Sequence, residues 1–260
     1  MIMQTKNLFY SVILGVLPFL MNAQDYKLQF QNDICDCMVQ KAEENKMGKN
    51  PMLLYQLCFQ EKLPTYVPNI DAEITATEQR EIYAEGQRIR EELKFSFYSE
   101  LIGTCDFYYQ EVEATRETNF STLKKIGENS DYYNLVNQAL AMQPTASNYV
   151  KRGQVYFGKE NFLKAKADLS KALTINENER GAKILLAWTY EKMNKYASAI
   201  ELLETLDDQK RNQEIQLLIA IQQRKMGGKL PIVKPSTTPS DVPSKAPEKK
   251  DDLKKLFKLD

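Results

Sequence analysis

Apolar positions between residues 25 and about 113 recur at helical spacing. Phe30, Ile34, Cys37 and Met38 mark one face of a first helix, and polar residues fill the other. Met47-Gly48-Lys49-Asn50 breaks the pattern. Pro51 then suits the first turn of a second helix, with Asn50 as its cap. That helix carries Leu53, Leu54, Leu57 and Cys58 and is predicted to end near Pro64, leaving 65–71 as a loop around Pro68. A long helical stretch follows from about 77 to 113. Its apolar set is Ile82, Ile89, Leu93, Phe97, Leu101 and Tyr108, with Gly86 and Gly103 as candidate bends. No stretch alternates with a period of two between turn signals, so the predicted fold class is all-α.

Beyond residue 114 the pattern repeats. Sliding 146–213 on itself by 34 residues places Gly153 on Ala187, Tyr156 on Tyr190 and Phe162 on Tyr196. The same offset places Ala165 on Ala199 and Leu169 on Leu203. Small residues at 153, 165, 187 and 199 let paired helices approach closely. Tyr156 and Tyr190 fill the space between helices, and Phe162 and Tyr196 close the end beside the turn. A weaker copy precedes these two. Phe120 and Leu123 fall on its first helix, Tyr132 stands where a small residue is usual, and Ala139-Leu140 precede Pro144. Glu214 to Met226 forms one more amphipathic helix, ended by Gly227-Gly228 and read as a cap on the last hairpin.

The 34-residue period and the sequence Tyr149-x2-Arg152-Gly153-x2-Tyr156, then Ala165-x3-Leu169, resemble the tetratricopeptide repeat. Lys183-x2-Leu186-Ala187-x2-Tyr190, then Ala199-x3-Leu203, is the second copy. Arg152, Lys183 and Glu177 depart from that pattern, at its leucine, tryptophan and closing proline. The resemblance implies an α-solenoid of helical hairpins, with two clear repeats at 146–179 and 180–213 and one degenerate copy. It also implies a docking role, a peptide or helix of another protein lying in the concave groove. Lys151, Arg152 and Lys183 are candidates for the carboxylate clamp some members use, but the clamp's asparagine positions hold other residues, such as Gln154.

Cysteines stand at 35, 37, 58 and 105. Side chains two apart on a helix diverge by roughly 200°, so Cys35 and Cys37 reach different helices. Two pairings satisfy that condition: Cys35–Cys58 with Cys37–Cys105, or Cys35–Cys105 with Cys37–Cys58. A four-cysteine zinc site is the alternative, although C-x-C is not the usual knuckle spacing. Disulfides require an oxidising compartment, and the N-terminus supplies a route. Leu8 to Leu20 is an apolar run after Lys6, too short for the roughly 20 residues that span a bilayer. Residues 1–23 are therefore read as a signal peptide cut after Ala23, with a periplasmic or secreted bacterial protein as the product and no integral span left in it.

Charge and chemistry narrow the function further. Lys plus Arg equals Asp plus Glu, at 35 each, which gives no electrostatic reason to expect nucleic acid. The chain has no histidine, which excludes Ser-His-Asp and Cys-His catalysis. No phosphate-binding glycine loop, nucleophile elbow or zincin motif is present, so no catalytic, cofactor or metal residue is assigned and no enzyme is expected.

The organisation read from the sequence is a signal peptide at 1–23, a helical cysteine-containing region at 24–113, and repeats plus cap at 114–228. A tail fills 229–260. In the tail, prolines at 231, 235, 239, 243 and 247 predict an extended spacer. Leu253, Leu256 and Phe257 then form one apolar stripe, predicted to dock as a short helix. The implied function is an exported interaction scaffold of the bacterial envelope; the alternatives are a helical enzyme subunit or a purely structural periplasmic protein.

Overall fold

The structure is a computed structural model and describes residues 22–44, 50–207 and 209–227. Residues 1–21 of the signal segment and the tail stripe Leu253, Leu256 and Phe257 lie outside the described residues, whereas Asn22 and Ala23 begin α1. Ten helices are described: α1 Asn22–Glu43, α2 Pro51–Asp71, α3 Gln79–Thr104, α4 Asp106–Glu128 and α5 Ser130–Met142. They continue as α6 Ala146–Gly158, α7 Phe162–Ile175, α8 Arg180–Lys192, α9 Tyr196–Glu204 and α10 Gln213–Lys225. No strand occurs among the described residues, and no helix among them is long and apolar enough to cross a membrane.

Local chemistry sets most helix starts. Asn50, Asn129, Thr145, Asn161 and Asn212 each accept a backbone N–H in the first turn of the helix that follows. Pro51 occupies the first turn of α2 as predicted, where a missing N–H costs nothing. Gly227, at φ 78°, adopts the left-handed conformation just after α10 that glycine takes without strain.

Two boundaries differ from the sequence reading. Helix α2 does not stop near Pro64; it runs through Pro64 and Pro68 to Asp71. A proline inside a helix costs about 3 kcal/mol through a lost bond and a clash. Tertiary contacts offset that cost here. Tyr66 and Ile70 are buried, and the Tyr66 hydroxyl donates to Asp33 at 2.6 Å. The predicted helix from 77 to 113 is two helices, broken at Cys105, whose backbone is extended at φ −124° and ψ 104°. The break turns Cys105 toward α1, and Thr104 donates to Gln31 on the same helix. Helix α4 consequently runs straight through residue 113, where the sequence placed a domain limit.

The core is arranged differently from the sequence order. Phe30 on α1 packs among Phe59, Tyr66 and Phe97, with ring centroids 4.4–5.4 Å apart. That cluster is continuous with Leu203 on α9 and with Ile215 and Ile221 on α10. A second cluster joins Phe120 and Leu123 of α4 to Phe157, Ala165, Leu169 and Trp188 of the hairpins. Tyr190, Leu202 and Leu206 touch both clusters. The last repeat thus shares its core with the N-terminal helices. Helix α10, read as a terminal cap, lies between α9 and α3 and is buried at Ile215, Leu217, Leu218, Ile219, Ala220 and Ile221.

Candidate functional site

Helix α1 anchors the cysteine brace. Cys35 pairs with Cys105 and Cys37 with Cys58, with Cα–Cα distances of 5.7 and 5.8 Å. Of the two pairings open on sequence, the structure contains the second. All four sulfurs are engaged in these bonds, so the four-thiolate zinc site is not formed.

The repeat positions sit where their sizes demand. A Cβ on Gly153 would lie 2.9 Å from Leu169 Cγ, so α6 and α7 meet at the closest approach glycine permits. Ala165, Ala199, Ala187, Leu169 and Leu203 are buried. Phe162 begins α7 and packs edge-on against Phe157 at 5.5 Å, and Tyr196 begins α9 and donates to Asn194. The tightest crossing lies elsewhere. Gly127 at the end of α4 meets Gly158 at the end of α6, and a Cβ on Gly158 would overlap the Leu123 carbonyl.

The inner face of the hairpins, expected as an open groove, is filled by the chain's own side chains. Phe120 on α4 stands edge-on to Trp188 on α8 at 4.9 Å. Arg116 donates to Glu191 at 2.5 Å, Gln222 on α10 donates to it at 2.6 Å, and Lys225 pairs with it at 2.7 Å. Glu113 completes the set by pairing with both Arg116 and Lys225. Burial alone would raise Glu191, but Arg116 and Lys225 outweigh it and hold the carboxyl down at about 2. Two acids and two bases thus share one site, buried at Arg116 and Glu191 and part-exposed at Glu113 and Lys225, and α4, α8 and α10 close on each other through it. Helix α8 is buried continuously from Ile184 to Thr189, which leaves no side on which a peptide could lie.

The clamp candidates do not assemble either. Arg152 is held by Asp168 through two hydrogen bonds of 2.7 Å, and Lys151 is exposed.

A second constellation lies on the outside, where α6 turns into α7. Tyr133 on α5 and Tyr156 on α6 bring their hydroxyls to 3.3 Å. Lys159 stands 4.0 Å from the centre of the Tyr133 ring and Lys164 5.5 Å from that of Tyr156. Burial and the bond to Tyr133 push the Tyr156 hydroxyl up to about 12. The Tyr156 hydroxyl and the Asn137 amide beside it, with the two nearby lysines, hold the Tyr133 hydroxyl below its ordinary value.

Sequence reasoning missed Glu113, Arg116, Trp188, Glu191 and Lys225 as a group, and Tyr133 with Lys159. The i, i+3 spacing of Glu113 and Arg116 was the local trace of the first group. Its other members lie too far along the chain to be connected by pattern.

These features define a helical hairpin repeat protein, braced at its N-terminal side by two disulfides and closed on itself by α10. The tetratricopeptide repeat family model matches residues 156–221, from the end of α6 into α10. The matched stretch takes in the end of α6, helices α7, α8 and α9 and part of α10, consistent with helical hairpin repeats. No curated protein and no solved structure matches the chain.

Proposed function

We propose that the chain is an exported scaffold of a bacterial envelope, not an enzyme, and that its hairpins bind a peptide or helix of a partner protein. The observation that carries this reading is the repeat match over 156–221 on hairpins built as such repeats are. Repeat solenoids act by presenting extended surfaces to partners. Because α4 and α10 fill the inner face, the partner meets the outer surface and the turns.

Export is supported by the apolar run Leu8–Leu20 and by two disulfides on α1, which persist only where thiols are oxidised. The tail from 229 to 260 extends the reading. At roughly 3 Å per residue its proline spacer reaches about 60 Å, and Leu253, Leu256 and Phe257 supply a second docking element.

The test is crosslinking in intact cells of the source organism, capture through the native chain, and identification of partners by mass spectrometry. A protein recovered in stoichiometric amount from the envelope fraction is the expected result. Recovery of the chain alone, or fractionation with the cytoplasm, contradicts it.

A further inference from the structure

Helix α2 turns toward solvent a face with little charge. At 3.6 residues per turn, Leu53, Leu57, Gln60, Pro64 and Pro68 fall within an arc of about 80°. Leu57 is half-buried and the other four are exposed, Leu53 at 40%. The opposite arc, with Leu54, Tyr55, Cys58, Phe59 and Tyr66, is buried in the core. In a chain with 27% charged residues, the stretch from Pro51 to Ile70 carries only Glu61 and Lys62. These two pair with each other, and Glu61 also meets Lys41 of α1. Asp71, at the end of the helix, pairs with Arg90. Helix α3 differs, since it exposes Arg80, Glu81, Arg88, Glu91 and Glu92. Loss of charge is the compositional mark of the centre of a protein interface.

The two prolines suit the same purpose. Burying a proline against another surface freezes no rotamers. Having no N–H, Pro64 and Pro68 also leave the carbonyls of Gln60 and Pro64, beside their rings, without the usual helix donors. The face is moreover complementary to itself. Turning a copy of α2 end for end about the midpoint between Gln60 and Glu61 sets Leu53 opposite Pro68 and Leu57 opposite Pro64. Gln60 then meets Gln60 of the copy at the two-fold axis, where each amide can donate and accept. Glu61 falls toward the other edge, and Lys41 and Lys62 neutralise it in each copy.

We infer that α2 is a self-association surface, on which a second copy of this chain pairs antiparallel in a two-fold dimer. The surface lies outside the repeats, and the inference does not rest on the scaffold reading. Other occupants fit it less well. An anionic lipid surface calls for free cations and bulky apolar side chains, and the cations of α2 and Lys41 are held by Glu61. The chain's own tail, with five lysines among 249–258, would find here one carboxylate already shared by two lysines. From Leu53 to Pro68 the face is about 22 Å long. That is small for an interface, so the dimer forms in the micromolar range.

Sedimentation velocity of the disulfide-bonded full chain, from about 1 to 300 µM, should show a monomer–dimer equilibrium. Gln60→Glu sets two carboxylates against each other at the axis and should weaken the dimer about tenfold. Gln87→Glu makes the same change on an exposed position of α3 and should weaken it less than about twofold. Leu53→Glu and Pro68→Lys each place a charge that suits its end of the helix dipole, so neither should lower the melting temperature. Each alone should weaken the dimer about fivefold, and an equimolar mixture of the two should return to within about twofold of the wild type. That recovery requires residue 53 of one copy to face residue 68 of the other. A monomer at every concentration overturns the inference, whether the tail, a lipid surface or nothing covers the face. A dimer that Gln60→Glu leaves intact, or that Gln87→Glu weakens equally, places the interface elsewhere and overturns it too. A mixture that fails to recover rules out the antiparallel pairing.

Discussion

Arg116 on α4 donates to Glu191 on α8, 75 residues later in the chain, and both side chains are buried. This pair, with Glu113 and Lys225, joins the N-terminal helices to the end of the repeats. Removing one partner of a buried ion pair leaves a charge without compensation, which costs about 3–5 kcal/mol. Glu191→Gln and Arg116→Met should each lower stability by that order in urea unfolding. A change under 1 kcal/mol would mean that the network does not hold the two halves together.

The same carboxyl makes stability depend on acid. Glu191 is lowered from the ordinary 4.5 to about 2 in the folded chain. Its contribution is complete above the unfolded value and is lost as pH falls through the folded one. The loss therefore falls between about pH 4.5 and 2, and amounts to about 3 kcal/mol. Glu100 opposes it, because burial raises its carboxyl and protonation relieves that cost. Thermal melts from pH 5 to pH 2 should show a shallower decline for Glu191→Gln than for the wild type. Parallel curves would remove Glu191 as the group responsible.

Much of the repeat region was legible in the sequence, and the reason is periodicity. Gly153, Ala165, Ala187 and Ala199 occupy close helix contacts that only small residues fit, and the 34-residue offset exposes them. The disulfide pairing was legible to within two choices, because Cys35 and Cys37 leave one helix in different directions. Choosing between them required knowing that the chain breaks at Cys105. The continuation of α2 through Pro64 and Pro68 was not legible, since local propensity argues against it and only the contacts of Tyr66 and Ile70 reverse the outcome. The filled inner face was hidden for a related reason. Phe120 and Trp188, or Glu113 and Lys225, are brought together by the closing of the chain, and no local pattern records that.

Glycine at the α4–α6 crossing has a direct consequence. Gly158→Ala should overpack the crossing against the Leu123 carbonyl and cost about 1–3 kcal/mol. Gly181→Ala meets only the Glu179 side chain at 3.6 Å and should instead be neutral or stabilising by up to about 1 kcal/mol. Differential scanning calorimetry on the two variants separates these outcomes. A destabilised Gly181→Ala with an unaffected Gly158→Ala would show that the helices do not cross as described.

The brace predicts a specific peptide map. Digestion without reduction should yield Cys35 linked to Cys105 and Cys37 linked to Cys58, and each bond should contribute about 2–4 kcal/mol. Linkage of Cys35 to Cys58 would require α1 to be rotated from its position in the core.

Ala165 and Ala199 are fully buried at the hairpin contacts. Replacing either with Leu should cost about 1–3 kcal/mol in thermal unfolding. An unchanged midpoint for both would place the repeat register elsewhere.

As proposed above, a closed, disulfide-braced hairpin array binds a protein partner on its outer surface. Photo-crosslinking in intact source cells tests it most directly. A benzophenone amino acid is placed at Leu163, which is 73% exposed at the start of α7, and separately at Tyr83, 69% exposed on α3. A discrete crosslinked species containing an envelope protein is expected from position 163, and none of comparable yield from position 83. Absence of any crosslinked protein at 163 would contradict it.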